Sequence, residues 1–346
     1  MSVLKKHWWK ALSVVLLTLV TWFTFTLPLA PGITGVKQVF DDNKLVVEVD
    51  TYNADLENVE LLCWLTSPNQ KNNIHYSGAT VLSHNKVRLY FPQPDTTSHT
   101  YYHLYMVTTK GGKLFYPDAM SMKHIGVLDA AYDDANPFPK KFLVPDHYAS
   151  LPFQNILYES IRNLNFHVTM WMVTMILLLF STIYSIIYLR TEKLIHDWRA
   201  SFLVETAMMF TTLGIITGSI WAKNTWGAYW VNDPKLNGAV VGALVYVAYL
   251  VLRSSIKEDD KRARLSAVYN IFAFVIYIVF IQVLPRFTDS LHPGNGGNPA
   301  FSAYDLDSTL RMLFYPAIIG FTLVGAWITQ LKLRLKNIEY QVNDED

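Results

Sequence analysis

The sequence predicts an all-α polytopic membrane protein with six transmembrane helices and an inserted extracytoplasmic all-β domain of the sandwich type. Three observations predict this class: six long apolar stretches, a run of short alternating segments after the first of them, and a low content of charged residues. Only 16 % of the 346 residues are charged, whereas soluble domains average about 25 %. The net charge of +1, without a basic tract, argues against a nucleic-acid partner.

Apolar stretches of about 18–25 residues are long enough to cross the hydrocarbon core of a bilayer. Basic residues precede the first stretch, as in a signal peptide, but its length and the unsuitable cleavage sequence "LPLAPG" favour an uncleaved anchor. The six stretches are residues 11–30, 165–189, 202–220, 237–253, 266–284 and 312–331.

The orientation of the spans follows from the basic residues that flank them, because cytoplasmic loops are enriched in Lys and Arg. Fourteen Lys and Arg flank the spans on the side of the two termini, and four lie in the short loops of the opposite side. We therefore expect both termini in the cytoplasm. The loop between the third and fourth spans then lies on the extracytoplasmic side.

Residues 31–145 have a different pattern, with short runs rich in Val, Tyr and Leu separated by turn residues. About six strands are expected, and "KGGKLFY" is typical of a closing hairpin. Together they predict a small antiparallel sandwich or barrel that binds or positions a partner. His75, His84, His99 and His103 lack a metal-ligand spacing, so we expect exposed strand and turn histidines.

The remaining divisions follow from these two regions. Residues 1–30 form the first span, 146–164 a linker with a short interfacial helix in "QNILYESIRNL", 165–335 a five-helix membrane domain, and 336–346 a cytoplasmic tail. Cys63 is the single cysteine, which excludes a disulfide within the chain and a thiolate metal cluster.

Two histidines and an aromatic loop are expected on the same outer face. His167 begins the second span, His292 lies between the fifth and sixth spans, and "GSIWAKNTWGAYWVNDPKL" forms a connection of about fifteen residues. Imidazoles ligate haem iron, indole rings stack on flat apolar groups, and lysines pair with propionates. A haem platform is one interpretation. In the other interpretation, the aromatic side chains anchor the chain at the membrane interface, and the histidines are solvated or boundary residues. The residues alone do not separate the two interpretations.

The same loop resembles the tryptophan-rich "WWD" segment of the cytochrome c assembly proteins, the CcmC type above all. Its Gly, Ser, Trp, Lys, Asp and Leu residues fall into register, "FHVTMWM" is similar to the family segment around a first ligand histidine, and "SLHPG" to that around a second. The chain departs from the family pattern at four positions: Thr169, Tyr229, Asn232 and Lys235.

The resemblance implies non-covalent, b-type haem held between axial ligands His167 and His292, over a shelf of Trp221, Trp226, Tyr229 and Trp230. It assigns Asp233 to orienting a ligand or fixing the loop, and Lys223 and Lys235 to the propionates or the loop. It further implies a bacterial inner membrane location, delivery of haem to a chaperone or apocytochrome c, and other cytochrome c maturation membrane proteins as partners. Such a protein makes no bond itself. The alternatives are a CcsA-type synthase that attaches haem to a CxxCH substrate, and a permease for haem or another solute.

Overall fold

The computed structural model describes residues 2–41, 44–67, 73–92, 98–109, 111–124, 149–155, 157–292 and 306–345. The chain divides into two compact units. The first consists of residues 1–26 and 160–346, and the second of residues 27–159.

The first unit is a helical bundle. Its helices are α1 (Ser2–Thr26), α2 (Leu164–Thr191), α3 (Leu194–Trp226), α4 (Pro234–Ser255), α5 (Asp259–Ile278) and α6 (Ser308–Glu345). Within the described residues, six helices are long and apolar enough to cross a membrane, which confirms the predicted number of spans. The protein is therefore a multi-pass membrane protein.

Short irregular helices extend two of these spans. A 3-10 helix, Tyr158–Asn163, runs directly into α2, in the place where the sequence predicted a short interfacial helix. A π-helical turn, Val279–Val283, and a 3-10 turn, Leu284–Arg286, continue α5. The second of these contains Pro285, which cannot continue a regular helix, and the chain then turns into the loop that carries His292.

Apolar side chains of α2, α3, α4 and α5 form one buried cluster in the bundle, including Val173, Leu177, Val204, Phe210 and Tyr246. Small residues allow close helix contacts, as is usual for helices packed in a membrane. Ser13 of α1 donates a hydrogen bond of 3.0 Å to the carbonyl oxygen of Gly320 in α6. The packing holds the ends of α2, α3 and α4 together where the candidate site lies.

Two buried charges join the far end of α4 to the start of α3. Arg253 donates two hydrogen bonds, of 2.7 and 2.6 Å, to the carboxylate of Asp197. Asp197 is only 3 % exposed, so the paired geometry compensates for the removal of both charges from water.

The second unit is a β-sandwich, as the sequence predicted, although it has more strands than the expected six. Its strands are β1 (Gly32–Asp41), β2 (Lys44–Tyr52), β3 (Leu61–Thr66), β4 (Asn73–His75), β5 (Gly78–Ser83), β6 (Lys86–Phe91), β7 (Ser98–Thr108) and β8 (Gly112–His124). Two antiparallel sheets have the orders β1-β2-β6-β5 and β4-β3-β7-β8. Alternate residues of both sheets, such as Val47 and Leu89 in one and Leu65 and Met106 in the other, share one core.

Three features predicted for this region have different outcomes. The hairpin at "KGGKLFY" is confirmed, since β7 pairs with β8 up to Thr108 and Gly112. Of the histidines expected to be exposed, His75 and His84 are exposed, His103 is half-buried, and the side chain of His99 is outside the description. Of the linker expected at residues 146–164, residues 146–148 and 156 lie outside the described residues.

Candidate haem-binding site

The aromatic connection between α3 and α4 is shorter than expected. Helix α3 continues through the first half of the tryptophan-rich segment and ends at Trp226. Gly227 then adopts φ 80°, and its N–H caps the carbonyl oxygen of Lys223, a helix end that glycine makes without steric cost. The loop therefore comprises residues 227–233, not about fifteen residues. No glycine or proline lies between Ser219 and Trp226, so nothing in the sequence ends the helix earlier.

Asp233 ends this loop and begins α4. Its Oδ1 accepts hydrogen bonds from the backbone N–H groups of Lys235 (2.9 Å) and Leu236 (3.3 Å), and Pro234 occupies the first helical turn. An Asp cap followed by proline is a favoured helix start. Local sequence thus explains two of the five hydrogen bonds of this carboxylate.

The other three hydrogen bonds join Asp233 to the loop before α6. Its Oδ2 accepts 2.8 Å hydrogen bonds from the Ser290 hydroxyl and the Leu291 N–H. Its Oδ1 also lies 3.0 Å from Nδ1 of His292. Burial raises the pKa of Asp233, but the hydrogen bonds from His292, Leu291 and Ser290 outweigh it and hold the pKa well below its usual range. The side chain, 1 % exposed, is therefore a carboxylate at neutral pH.

This carboxylate determines which nitrogen of His292 carries the proton. A carboxylate only accepts hydrogen bonds, so Nδ1 of His292 is the donor. The imidazole is 21 % exposed, and its ring centroid lies 5.1 Å from that of Trp226, nearly edge to face. Nε2 of the neutral ring keeps its lone pair, which is the arrangement of a histidine prepared to bind a metal.

His167 has the same arrangement by a different route. It lies in the first turn of α2, and its Nδ1 is 3.0 Å from the carbonyl oxygen of Gly214 in α3. A carbonyl oxygen can only accept, so Nδ1 again carries the proton. The imidazole fits because a Cβ on Gly218 would lie 2.5 Å from Cε1 of His167. Any residue larger than glycine at position 218 would displace the ring.

The aromatic residues of the site divide into three positions. Trp221 lies beside His167, with centroids 5.6 Å apart, and donates a 3.0 Å hydrogen bond from Nε1 to Ser160. Trp226 lies beside His292. Tyr229 and Trp230, on the loop, are 63 % and 42 % exposed, so much of their ring surface is available to a ligand.

The two lysines differ in their surroundings. Lys223 is exposed, donates a 2.8 Å hydrogen bond to the carbonyl oxygen of Gly227, and lies 5.7 Å from the ring of Tyr229. Lys235 is half-buried, and it and His292 both lie within electrostatic range of His167. The first lysine supports the loop, and the second acts electrostatically on His167.

The structure brings His292, Asp233 and Trp226 into one contacting group, and His167 and Trp221 into another. Sequence reasoning missed three residues that build these groups: Gly214, Gly218 and Ser290. Two glycines four residues apart in an apolar helix are a detectable sign of close packing. The role of Ser290 has no local sign, because its partner is 57 residues away in the chain.

Comparison with known proteins connects this geometry to a family. Residues 144–287 match the family described as Cytochrome C assembly protein. The matched segment contains His167 and the α3–α4 loop, begins after the β-strands, and ends before His292.

Individual relatives carry two names. Over 193 residues the chain is 24 % identical to Heme exporter protein C of Paracoccus denitrificans, which covers 56 % of this chain and 77 % of that protein. It is 35 % identical over 95 residues to Cytochrome c biogenesis protein CcsA of Prochlorococcus marinus (28 % and 29 % of the two chains), and 31 % identical over 109 residues to CcsA of Pelargonium hortorum (31 % and 34 %). The chain thus spans about a third or less of the length of these CcsA relatives.

Proposed function

We propose that the protein, whose residues 144–287 match the cytochrome c assembly family, binds haem non-covalently and presents it for cytochrome c biogenesis. His167 and His292 are the axial ligands, and the α3–α4 loop supplies the surface for the porphyrin. The platform faces the extracytoplasmic side of a bacterial inner membrane. Haem is the cargo, and it passes to a haem chaperone or to apocytochrome c in the company of other maturation membrane proteins.

One observation carries this proposal. Both histidines are held through Nδ1, by a carboxylate in one case and a backbone carbonyl in the other. Each therefore has an oriented ring with Nε2 away from the anchoring bond, and two imidazoles are a donor set suited to haem iron. A histidine that served only as an interfacial or loop residue would not need this anchoring at both positions.

The surroundings of the histidines also fit haem. The exposed rings of Tyr229 and Trp230 offer flat apolar surface on the loop. Stacking of an aromatic ring on another flat ring system contributes about 0.5–1.5 kcal/mol, so each of these rings can stabilise a bound porphyrin. We assign Lys235 and Lys223 to the propionates as their cations. When bound, haem supplies the iron for the two imidazoles, and the chain supplies the orientation and the apolar surface.

A second candidate function is supported by the relatives named CcsA, which share higher identity over shorter segments. A synthase of that type would form thioether bonds between haem vinyl groups and a CxxCH peptide. We favour delivery because the match to Heme exporter protein C extends over more of the chain. Incubation of the haem-loaded protein with a reduced CxxCH peptide separates the two functions: covalent haem on the peptide would identify a synthase.

The experiment that tests haem binding is an absorption spectrum of the protein purified in mild detergent from haem-replete cells. We expect a Soret band with bis-histidine character, altered or lost in His167→Ala and in His292→Ala. His84→Ala is the matched control, because His84 is an exposed histidine of the β unit, and its spectrum should equal that of the parent. Absence of haem from the parent after addition of hemin would contradict the proposal.

A further inference from the structure

The last helix carries an apolar stripe that the bundle does not cover. Four side chains near the C-terminal end of α6 are each at least half exposed: Leu331 (50 %), Leu335 (60 %), Ile338 (57 %) and Val342 (55 %). They follow one another at intervals of four, three and four residues. This is the spacing of the a and d positions of a coiled coil, with Leu335 and Val342 at a, and Leu331 and Ile338 at d.

The stripe lies where α6 leaves the apolar part of the bilayer. The helix has 38 residues, which is about 57 Å at 1.5 Å per residue, and a membrane requires about 20 residues. Lys332, Arg334 and Lys336 mark the end of the apolar stretch, so the turns that follow extend into water. Lipid chains therefore do not account for exposed Ile338 and Val342.

The side of α6 that packs on α3 is a different one. Lys332 pairs with Glu205 of α3 at 2.8 Å, Thr329 donates a 3.2 Å hydrogen bond to Thr206, and the ring of Tyr340 lies 5.5 Å from that of Trp198. These residues occupy the e, b and f positions of the same heptad numbering.

Helix α1 packs on the g side farther from the C-terminus, where Ser13 donates a hydrogen bond to Gly320 and Lys10 lies 4.9 Å from the ring of Trp327. The stripe residues stay exposed beside both helices, so a second helix can approach them while α1 and α3 stay in place.

Charged residues beside the stripe indicate what that second helix is. Arg334 occupies a g position and Glu339 the following e position, and both are exposed. Glu339 also lies 3.3 Å from Lys336 of its own helix, which leaves its second carboxylate oxygen for a partner. In a parallel two-stranded coiled coil, a g residue of one helix faces the next e residue of the other. Two copies of this chain inserted in one membrane have the same orientation, so their α6 helices are parallel. Arg334 of each copy then faces Glu339 of the other, and the stripe is complementary to itself.

We propose that the C-terminal part of α6 is a self-association surface, in which Leu331, Leu335, Ile338 and Val342 pack against the same residues of a second copy as a short parallel coiled coil. Paired Arg334 and Glu339 fix the parallel register. The inference does not depend on the proposed haem function. It concerns the opposite end of α6 from the loop that contains His292.

Cysteine cross-linking of the full-length protein in native membranes tests the stripe. In a Cys63→Ala background, Leu335→Cys places a thiol at an a position, where two copies bring their Cβ atoms within disulfide range. Asn337→Cys is the matched control, since Asn337 is equally exposed but lies at a c position on another side. Mild oxidation should give roughly tenfold more disulfide-linked dimer from Leu335→Cys than from Asn337→Cys. Equal yields at the two positions would overturn the proposal, as would a product in which Leu335→Cys is linked to a different protein.

A charge exchange tests the parallel pairing in the Leu335→Cys chain. Arg334→Glu places an acidic side chain of one copy opposite Glu339 of the other. This repulsion should lower the dimer yield at limiting oxidant by roughly tenfold. Glu339→Arg should do the same, and the two substitutions together should restore the original yield. Failure of the double variant to recover, with each single variant monodisperse on size exclusion, would show that Arg334 does not face Glu339 of a second copy.

Discussion

Replacement of Asp233 by asparagine tests the architecture of the site most directly, because this residue joins the start of α4 to the loop that contains His292. Five donors converge on its carboxylate, three on Oδ1 and two on Oδ2. Asn has the same shape but offers a single acceptor oxygen. At least two of the donors must therefore lose their acceptor.

The magnitude follows from the arrangement that costs least. The amide oxygen takes the Oδ1 position and keeps the helix cap and the bond from His292, while the amide nitrogen faces the N–H of Leu291. A buried N–H without an acceptor costs about 1–3 kcal/mol, and the bond from His292 becomes neutral and about half as strong. Both effects loosen the loop that orients His292, so we expect Asp233→Asn to weaken haem binding about tenfold to a hundredfold. Loss of a hydrogen-bond partner of a metal ligand has effects of the same size, about 10–100-fold.

The assay is a titration of the purified apoprotein with hemin, followed by Soret absorbance, on the monodisperse fraction from size exclusion. Asp289→Asn is the control, because Asp289 is an exposed carboxylate of the same loop and its removal changes the charge equally. Unchanged affinity in Asp233→Asn would refute the role of the carboxylate in orienting His292. An equal loss in Asp289→Asn would refute it as well, since the effect would then come from net charge.

Three further predictions concern other parts of the chain. Gly218→Ala should lower haem affinity at least about tenfold in the same titration, because its Cβ would lie 2.5 Å from Cε1 of His167; Gly325→Ala, whose Cβ would meet a leucine side chain at 3.0 Å, should bind haem normally. Trp230→Ala should weaken haem binding about twofold to tenfold through lost ring contact and leave thermal unfolding unchanged, because the side chain is 42 % exposed; a lowered melting temperature would instead indicate a structural role. Burial raises the pKa of the Cys63 thiol, so maleimide labelling at pH 7 should require denaturant, and rapid labelling of the folded protein would contradict the sandwich core.

Much of the fold could be predicted from the sequence because it depends on local properties. The length and apolarity of a stretch decide whether it spans a membrane, and all six spans were located in this way. Alternation of apolar and polar residues likewise predicted the β-sandwich. The strand number was underestimated because short strands such as β4 (Asn73–His75) and the exposed β5 (Gly78–Ser83) lack an alternating apolar pattern of their own.

The candidate site was less accessible. The chemistry of the residues pointed to His167, His292 and the aromatic loop as candidates. The resemblance assigned them roles, and those roles remain predictions. The predicted length of the loop was wrong, since α3 continues to Trp226 and places Trp221 on a helix beside His167. Hydropathy locates the end of the apolar stretch that crosses the membrane. The helix itself continues until a residue such as Gly227 allows the left-handed conformation.

By itself, therefore, the sequence determined the number of spans, the inserted β unit and the residue types available to a ligand, since each of these depends on neighbours along the chain. Only the tertiary structure decided that one carboxylate, Asp233, caps α4 and holds His292 at the same time. It also decided that Gly218 makes room for the imidazole of α2. Both arrangements depend on contacts between segments about 50 residues or more apart, and such distances are set by how the helices pack.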